Sequence, residues 1–121
     1  MSTEKNVQSF GVAATLTTQR GVYVSAANTV AYPSANTDLP IGITNDDVTD
    51  TNQAISVVTG GITKLQFNDT VAAGAKVALD TDGLGVPATA SETSTYVGIL
   101  VDAAVAATGT IANVFVQPGI V

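Results

Sequence analysis

The stretch "PIGITNDDVTDTNQAISVVTGG", Pro40 to Gly61, and the stretch "YVGILVDAAVAATGTIANVFVQPG", Tyr96 to Gly119, share one layout. Each opens on an apolar residue, a glycine and an isoleucine. Each passes through an Ala/Thr/Asp/Asn-rich connection and runs into a strand-like segment ending near a glycine. The echo extends backwards, because Gly21-Val-Tyr-Val24 matches Gly74-Ala-Lys-Val77, each followed by turn-rich chain and a proline. A first unit over about residues 20–61 and a second over about residues 73–119 follow, with "ITKLQFNDT" as the bridge. Such a repeat predicts two similar sheets or half-barrels packed face to face, each covering the other's apolar side.

The repeating elements are strands. The chain is dominated by Ala, Thr and Val, and 45% of its residues are hydrophobic. β-Branched residues favour extended chain, and the residues that fill surface helices are scarce. With 121 residues the chain suits one domain. Strands are expected at "GVYVSA", Val30 and Tyr32 (ended by Pro33, which suits a sheet edge), "LPIGIT", "AISVVTGGITKLQF" with a break at Gly60-Gly61, "YVGILVD" and "IANVFVQ". "KVALDTDGLGVPA" reads as a hairpin whose turn needs φ > 0 at Gly83. Ala103 to Ala107 has the composition of a single helical turn. Residues 1–9 are polar, so residues 1–15 read as an extended N-terminal arm and residues 16–121 as the β domain.

The charge pattern excludes several classes of partner. The net charge is −6, with Lys5, Arg20, Lys64 and Lys76 as the only cations. No nucleic-acid partner is expected, since that requires clustered cations. No membrane partner is expected either: an anionic surface would repel the chain, and no apolar run approaches a span. The N-terminus has no apolar signal region.

Reactive chemistry is sparse. There is no Cys and no His, so thiolate and imidazole catalysis are absent and no cofactor or metal site is expected. Asp46, Asp47 and Asp50 cluster beside Asn45 and Asn52, but their spacing fits no calcium loop, and side chains capping their own backbone explain them. "DTDGLG" from Asp80 is a hairpin turn rather than a phosphate cradle, because carboxylates repel phosphate. Ser91, Ser94 and Tyr96 lack a base, the two glutamates (Glu4 and Glu92) lie in the arm and a loop, and Lys64 and Lys76 read as solubilising strand charges. The aromatics, Phe10, Tyr23, Tyr32, Phe67, Tyr96 and Phe115, are spread at strand positions, which is a core or interface pattern.

The run "TVAAGAKVALDTDGLGVPATASETSTYVGILVDAAVAATGTIANVFV" resembles the second half of the capsid decoration, or cement, proteins of tailed bacteriophages. The carrying positions include Gly74, Val77, Asp80, Pro87, Gly98, Ile99, Ile111 and Val114. Upstream, Gly42, Ile43, Val57, Gly61, Ile62 and Leu65 are similar to the family's first half. The likeness covers about residues 21–116. It departs at Ala75, often acidic in the family, and in the loop "NDDVTDTNQ", which lacks a glycine. The resemblance implies an all-β fold, a small β-barrel or β-tulip-like sandwich, on the outer surface of a phage head. The implied partners are the major capsid protein and further copies of the chain in a homotrimer, without catalysis.

An arm of this kind suits strand addition to an exposed capsid edge. The expected contact residues are Val7, Gln8, Ser9 and Phe10, with Val7 and Phe10 as apolar anchors. The rival reading is a phage spike or fibre module recognising host-cell or glycan surfaces, since Ala/Thr/Val/Gly-rich β domains also occur there.

Overall fold

A computed structural model describes residues 6–34, 38–88, 95–102 and 109–120. These hold nine strands and, among the described residues, no helix: β1 (Asn6–Val12), β2 (Gly21–Ala26), β3 (Thr29–Ala31), β4 (Pro40–Thr44), β5 (Ile55–Gln66), β6 (Lys76–Leu79), β7 (Gly85–Pro87), β8 (Thr95–Leu100) and β9 (Ile111–Ile120). The fold is all-β, as the composition predicts. The helical turn expected at Ala103 to Ala107 lies outside the described residues.

The strands form one sheet in the order β1-β3-β2-β4-β5-β9-β8-β6-β7, and β1 also pairs with β5. That extra pairing closes β1, β3, β2, β4 and the first part of β5 into a five-strand barrel. The closing ladder runs from Val7↔Val58 to Phe10↔Ile55. Beyond Gly60-Gly61, β5 exchanges partners. Gly61 to Gln66 pair with β9, from Gly61↔Val116 to Gln66↔Ile111. Gly61 has φ 90°, a conformation open to glycine at little cost. A second ring follows through β9, β8, β6 and β7. A parallel bridge, Phe67↔Gly85, returns it to the end of β5.

The two rings match pair by pair. Val7↔Val58 corresponds to Ile62↔Phe115. Val22↔Gly42 corresponds to Val77↔Gly98, and Ile43↔Val58 to Ile99↔Phe115. Thr44↔Val57 corresponds to Leu100↔Val114. The parallel pair Val12↔Val30 has its counterpart in Phe67↔Gly85. The chain is thus built from two similar halves, each of five strands, and β5 belongs to both.

This register corrects the boundaries expected from sequence. The first half starts at β1, before residue 20. The second starts at Gly61, so most of "ITKLQFNDT" is the first strand of the second half rather than a bridge. β5 is one continuous strand rather than two. β3 is interior, between β1 and β2, and Tyr32 lies beyond its end. The halves are also joined edge to edge through β5 rather than only face to face.

Two cores result. Val12, Leu16, Val22, Val30, Val48, Ile55 and Val57 fill the first barrel, with Phe10, Tyr32 and Ile41 packed against them. Leu65, Phe67, Val71, Val77, Leu79, Val97, Leu100, Val114 and Val116 fill the second. Ile43 and Val58 point out of the first barrel and belong to the second core. Adjacent residues Val57 and Val58 therefore serve different cores. The second half sits on the outer face of β4 and β5 of the first, with both faces of that wall buried and apolar.

The hairpin of β6 and β7 locks the halves at the other end. The Gly21 N–H donates to the Gly83 carbonyl at 2.7 Å, and Arg20 Nη1 to the Asp82 carbonyl at 3.0 Å. Arg20 also lies 5.9 Å above the Tyr32 ring, within cation–π range. Gly83 has φ 76°, as its turn requires.

Candidate interaction surface

β1 is a barrel stave rather than a free arm as far as residues 6–12 are concerned; residues 1–5 lie outside the described residues. Its backbone is held on β5, and only Val12 is buried, with Phe10 half-buried against the first core. Val7, Gln8 and Ser9 are exposed. The four residues expected to contact a capsid therefore divide. Phe10 supports the barrel, while Val7, Gln8 and Ser9 present side chains to solvent from a fixed strand.

The carboxylates of the acidic loop after β4 accept from main-chain donors inside and outside the loop. Asp47 Oδ1 accepts from the Thr18 N–H at 2.8 Å, Asp46 Oδ2 from the Ser56 N–H at 3.3 Å, and Asp50 Oδ1 from the Asn52 N–H at 2.9 Å. Of the three, Asp50 caps its own turn as expected for an Asx residue, whereas Asp47 and Asp46 tie the loop to the chain before β2 and to β5. Asp80 does the same for the hairpin. Its Oδ1 accepts from the Asp82 and Leu84 N–H groups at 2.9 and 3.0 Å, and its Oδ2 from Asn68 Nδ2 at 3.0 Å. Among the described residues no group of three or more acidic side chains is arranged to hold a metal. Ser91, Glu92 and Ser94 lie outside the described residues. Lys76 Nζ lies 5.0 Å from the Tyr96 ring centroid, a cation–π contact rather than a reactive lysine environment.

What stands out is the distribution of exposed apolar side chains. Among the described residues the large exposed ones are Val7, Val24, Leu39, Ile62, Val101, Ile111 and Phe115. Ile62 and Phe115 are paired across β5 and β9. Ile111 shares their side of β9, and half-buried Ile99 pairs with Phe115 from β8. The Val101 N–H donates to the Asn113 carbonyl at 3.0 Å, which holds Val101 beside this strand. Lys64, opposite Asn113, and Lys76, opposite Ile99, border this face.

A second apolar region lies mainly on the first half, with Pro118 of β9 at its border. Tyr23, Val24, Asp38, Leu39, Pro40, Ile41 and Pro118 line an open groove of about 610 Å³. Asp38 is its only charged lining residue. A smaller polar recess of about 330 Å³ lies where the halves meet, walled by Thr18, Asn45, Lys64 and Asn113 among others.

Neither apolar region was singled out from the sequence. The alternation of "IANVFVQ" gives the signal for one, since Ala112, Val114 and Val116 are buried while Ile111 and Phe115 are exposed. An apolar residue on both parities of a strand means two covered faces, and here only one is covered within the chain. Shape, apolar area and a few charges equip these faces for docking onto another protein surface.

No family model matches the chain, and no curated protein matches it. Among solved structures, the fold is similar to the N-terminal base of the head fiber gp8.5 of bacteriophage phi29. The TM-score is 0.70 at 14% sequence identity, over 94% of this chain and 95% of that one. At that identity the likeness is one of fold, and it extends over essentially the whole of both chains.

Proposed function

We propose that the chain is a structural protein of a phage head, a decoration or cement module bound to the outside of the shell across neighbouring major capsid subunits. The observation that carries a structural role on a phage head is the whole-chain likeness of fold to a phage head fiber base. The sequence resemblance to decoration proteins points the same way. So does the architecture, which offers exposed apolar area on a rigid doubled barrel and a low charge density. Contact with a shell needs roughly 1,200–2,000 Å² of complementary surface, and many identical contacts reinforce one another. The module works without a cofactor or catalysis. Val7, Gln8 and Ser9, fixed on β1, are placed to meet a capsid subunit by side-chain contact.

A second reading is the foot of a projecting fibre, in which the same barrel anchors on the head and carries a recognition element for host-cell or glycan surfaces. The neighbouring structure, itself a fiber base, favours it. Cosedimentation separates the two. Purified protein is added to expanded heads made without it. Saturable binding and a higher temperature for head rupture are expected for a cement module. Saturable binding with no gain in head stability points to the fibre foot. Absence of binding overturns both.

A further inference from the structure

The pairing of the halves leaves half of an interface unused. Within the chain, the second half covers Ile43 and Val58 on the outer face of the first, and both are fully buried. Their counterparts in the second half are Ile99 and Phe115, the latter 41% exposed. The residues of the second half that reach the first include Leu79, whose side chain occupies the space where a Cβ on Gly21 would lie, and Val97. Leu79 is 9% exposed and Val97 fully buried. Two residues on from the matched pair Val22 and Val77, Val24 stands where Leu79 stands. Ile41, before Gly42, stands where Val97 stands before Gly98. Val24 is 44% exposed and Ile41 half-buried, and both line the open groove.

The molecule therefore carries both sides of its own internal interface a second time, partly uncovered: Val24 and Leu39 are exposed on one side, Ile62 and Phe115 on the other, and Ile41 and Ile99 are half-buried. We infer that a second copy of this chain docks its groove at Val24, Leu39 and Ile41 onto the Ile62–Ile99–Phe115 face of the first, reproducing between copies the contact made within each copy. Charge supports the pairing. Lys64 and Lys76 border the apolar face, and Asp38, whose Oδ2 accepts from Ser34, lines the groove, so the two patches carry charge of opposite sign. Phe115 is an aromatic projection of the size that fills a groove at an interface centre. Because the two patches differ, the contact is heterologous, and the inferred assembly is the ring that such a contact gives when its rotation closes. This goes beyond the head-binding reading and stands apart from it.

The test uses two surface variants of the full chain, Phe115→Asp and Val24→Asp, with light scattering, native mass spectrometry and thermal unfolding. The unsubstituted protein is expected to run as a defined oligomer. Each variant alone is expected to be monomeric with its unfolding cooperative, and an equal mixture is expected to give a one-to-one pair, since each supplies the patch that the other lacks. The inference is overturned by a monomeric unsubstituted protein, by either variant still self-associating through its remaining patch, or by a mixture that stays monomeric. A protein that forms the ring but ignores heads overturns the proposed function and leaves this interface in place.

Discussion

Gly42 lies so close to Val58 that a Cβ placed on it would fall well inside contact distance of the Val58 carbonyl oxygen and 2.9 Å from Val57 Cγ1. Gly98 stands in the same relation to Phe115, with Val114 Cγ1 also at 2.9 Å. The obstacle in both is the neighbouring strand's backbone, which cannot swing aside. Gly42→Ala and Gly98→Ala are each expected to cost about 3 kcal/mol, the upper end for overpacking. Urea unfolding should show a lower midpoint at constant slope for both. A midpoint unchanged in either would mean that the two sites are not the matched close approaches described.

Thr44 takes the place in the first half that Leu100 takes in the second, and it is 1% exposed. Its Oγ1 accepts from the Arg20 N–H at 3.0 Å and donates to the Thr17 carbonyl at 2.7 Å. This ties the start of β2 to the chain before it. Thr44→Val keeps the shape and strands two main-chain groups, so a loss of about 1–3 kcal/mol is expected. Thr44→Ser should recover most of it in the same unfolding experiment. Full stability in Thr44→Val with a loss in Thr44→Ser would assign the effect to packing.

Asp80 gathers three donors around the turn that docks on Gly21. Asp80→Ala is expected to destabilise by about 1–3 kcal/mol and Asp80→Asn by less, because the amide oxygen still accepts. Hydrogen exchange should locate the change at the Leu84 and Gly21 amides. Protection that is unchanged at Gly21 would separate the turn from the joint between the halves.

Removing residues 1–10 takes away most of β1, the stave that closes the first barrel. Loss of cooperative unfolding and aggregation through the uncovered edge of β5 are expected. A monodisperse, fully folded truncation would contradict the closed barrel. Exchanging only Val7 for Lys should leave the fold unchanged.

Much of this fold can be read from the sequence, because β-branched alternation and the two "xGI" glycines mark β4, β5, β8 and β9. Residues 6–9 of β1 are not legible, because their side chains show no core-facing alternation. Val7, Gln8 and Ser9 face solvent, and what holds them is main-chain pairing with β5. The start of the second half at Gly61 was hidden for a related reason. Val7 and Ile62 occupy the same place, yet "NVQSFGV" and "GITKLQF" share few residues. The Gly60-Gly61 pair has the composition of a strand break, whereas it marks an exchange of partners along an unbroken strand. The apolar faces were invisible because covering depends on which halves meet, not on local composition. The acidic loop is legible in part: Asp50 capping its own turn is a local matter, whereas the reach of Asp47 to Thr18 and of Asp46 to Ser56 depends on the fold.

The most direct test of the central claim is cryo-electron microscopy of heads assembled with and without the protein. Difference density on the outer surface, repeated at one lattice position and fitting the doubled barrel, is the expected result. Heads with identical exteriors in the two preparations would contradict the account.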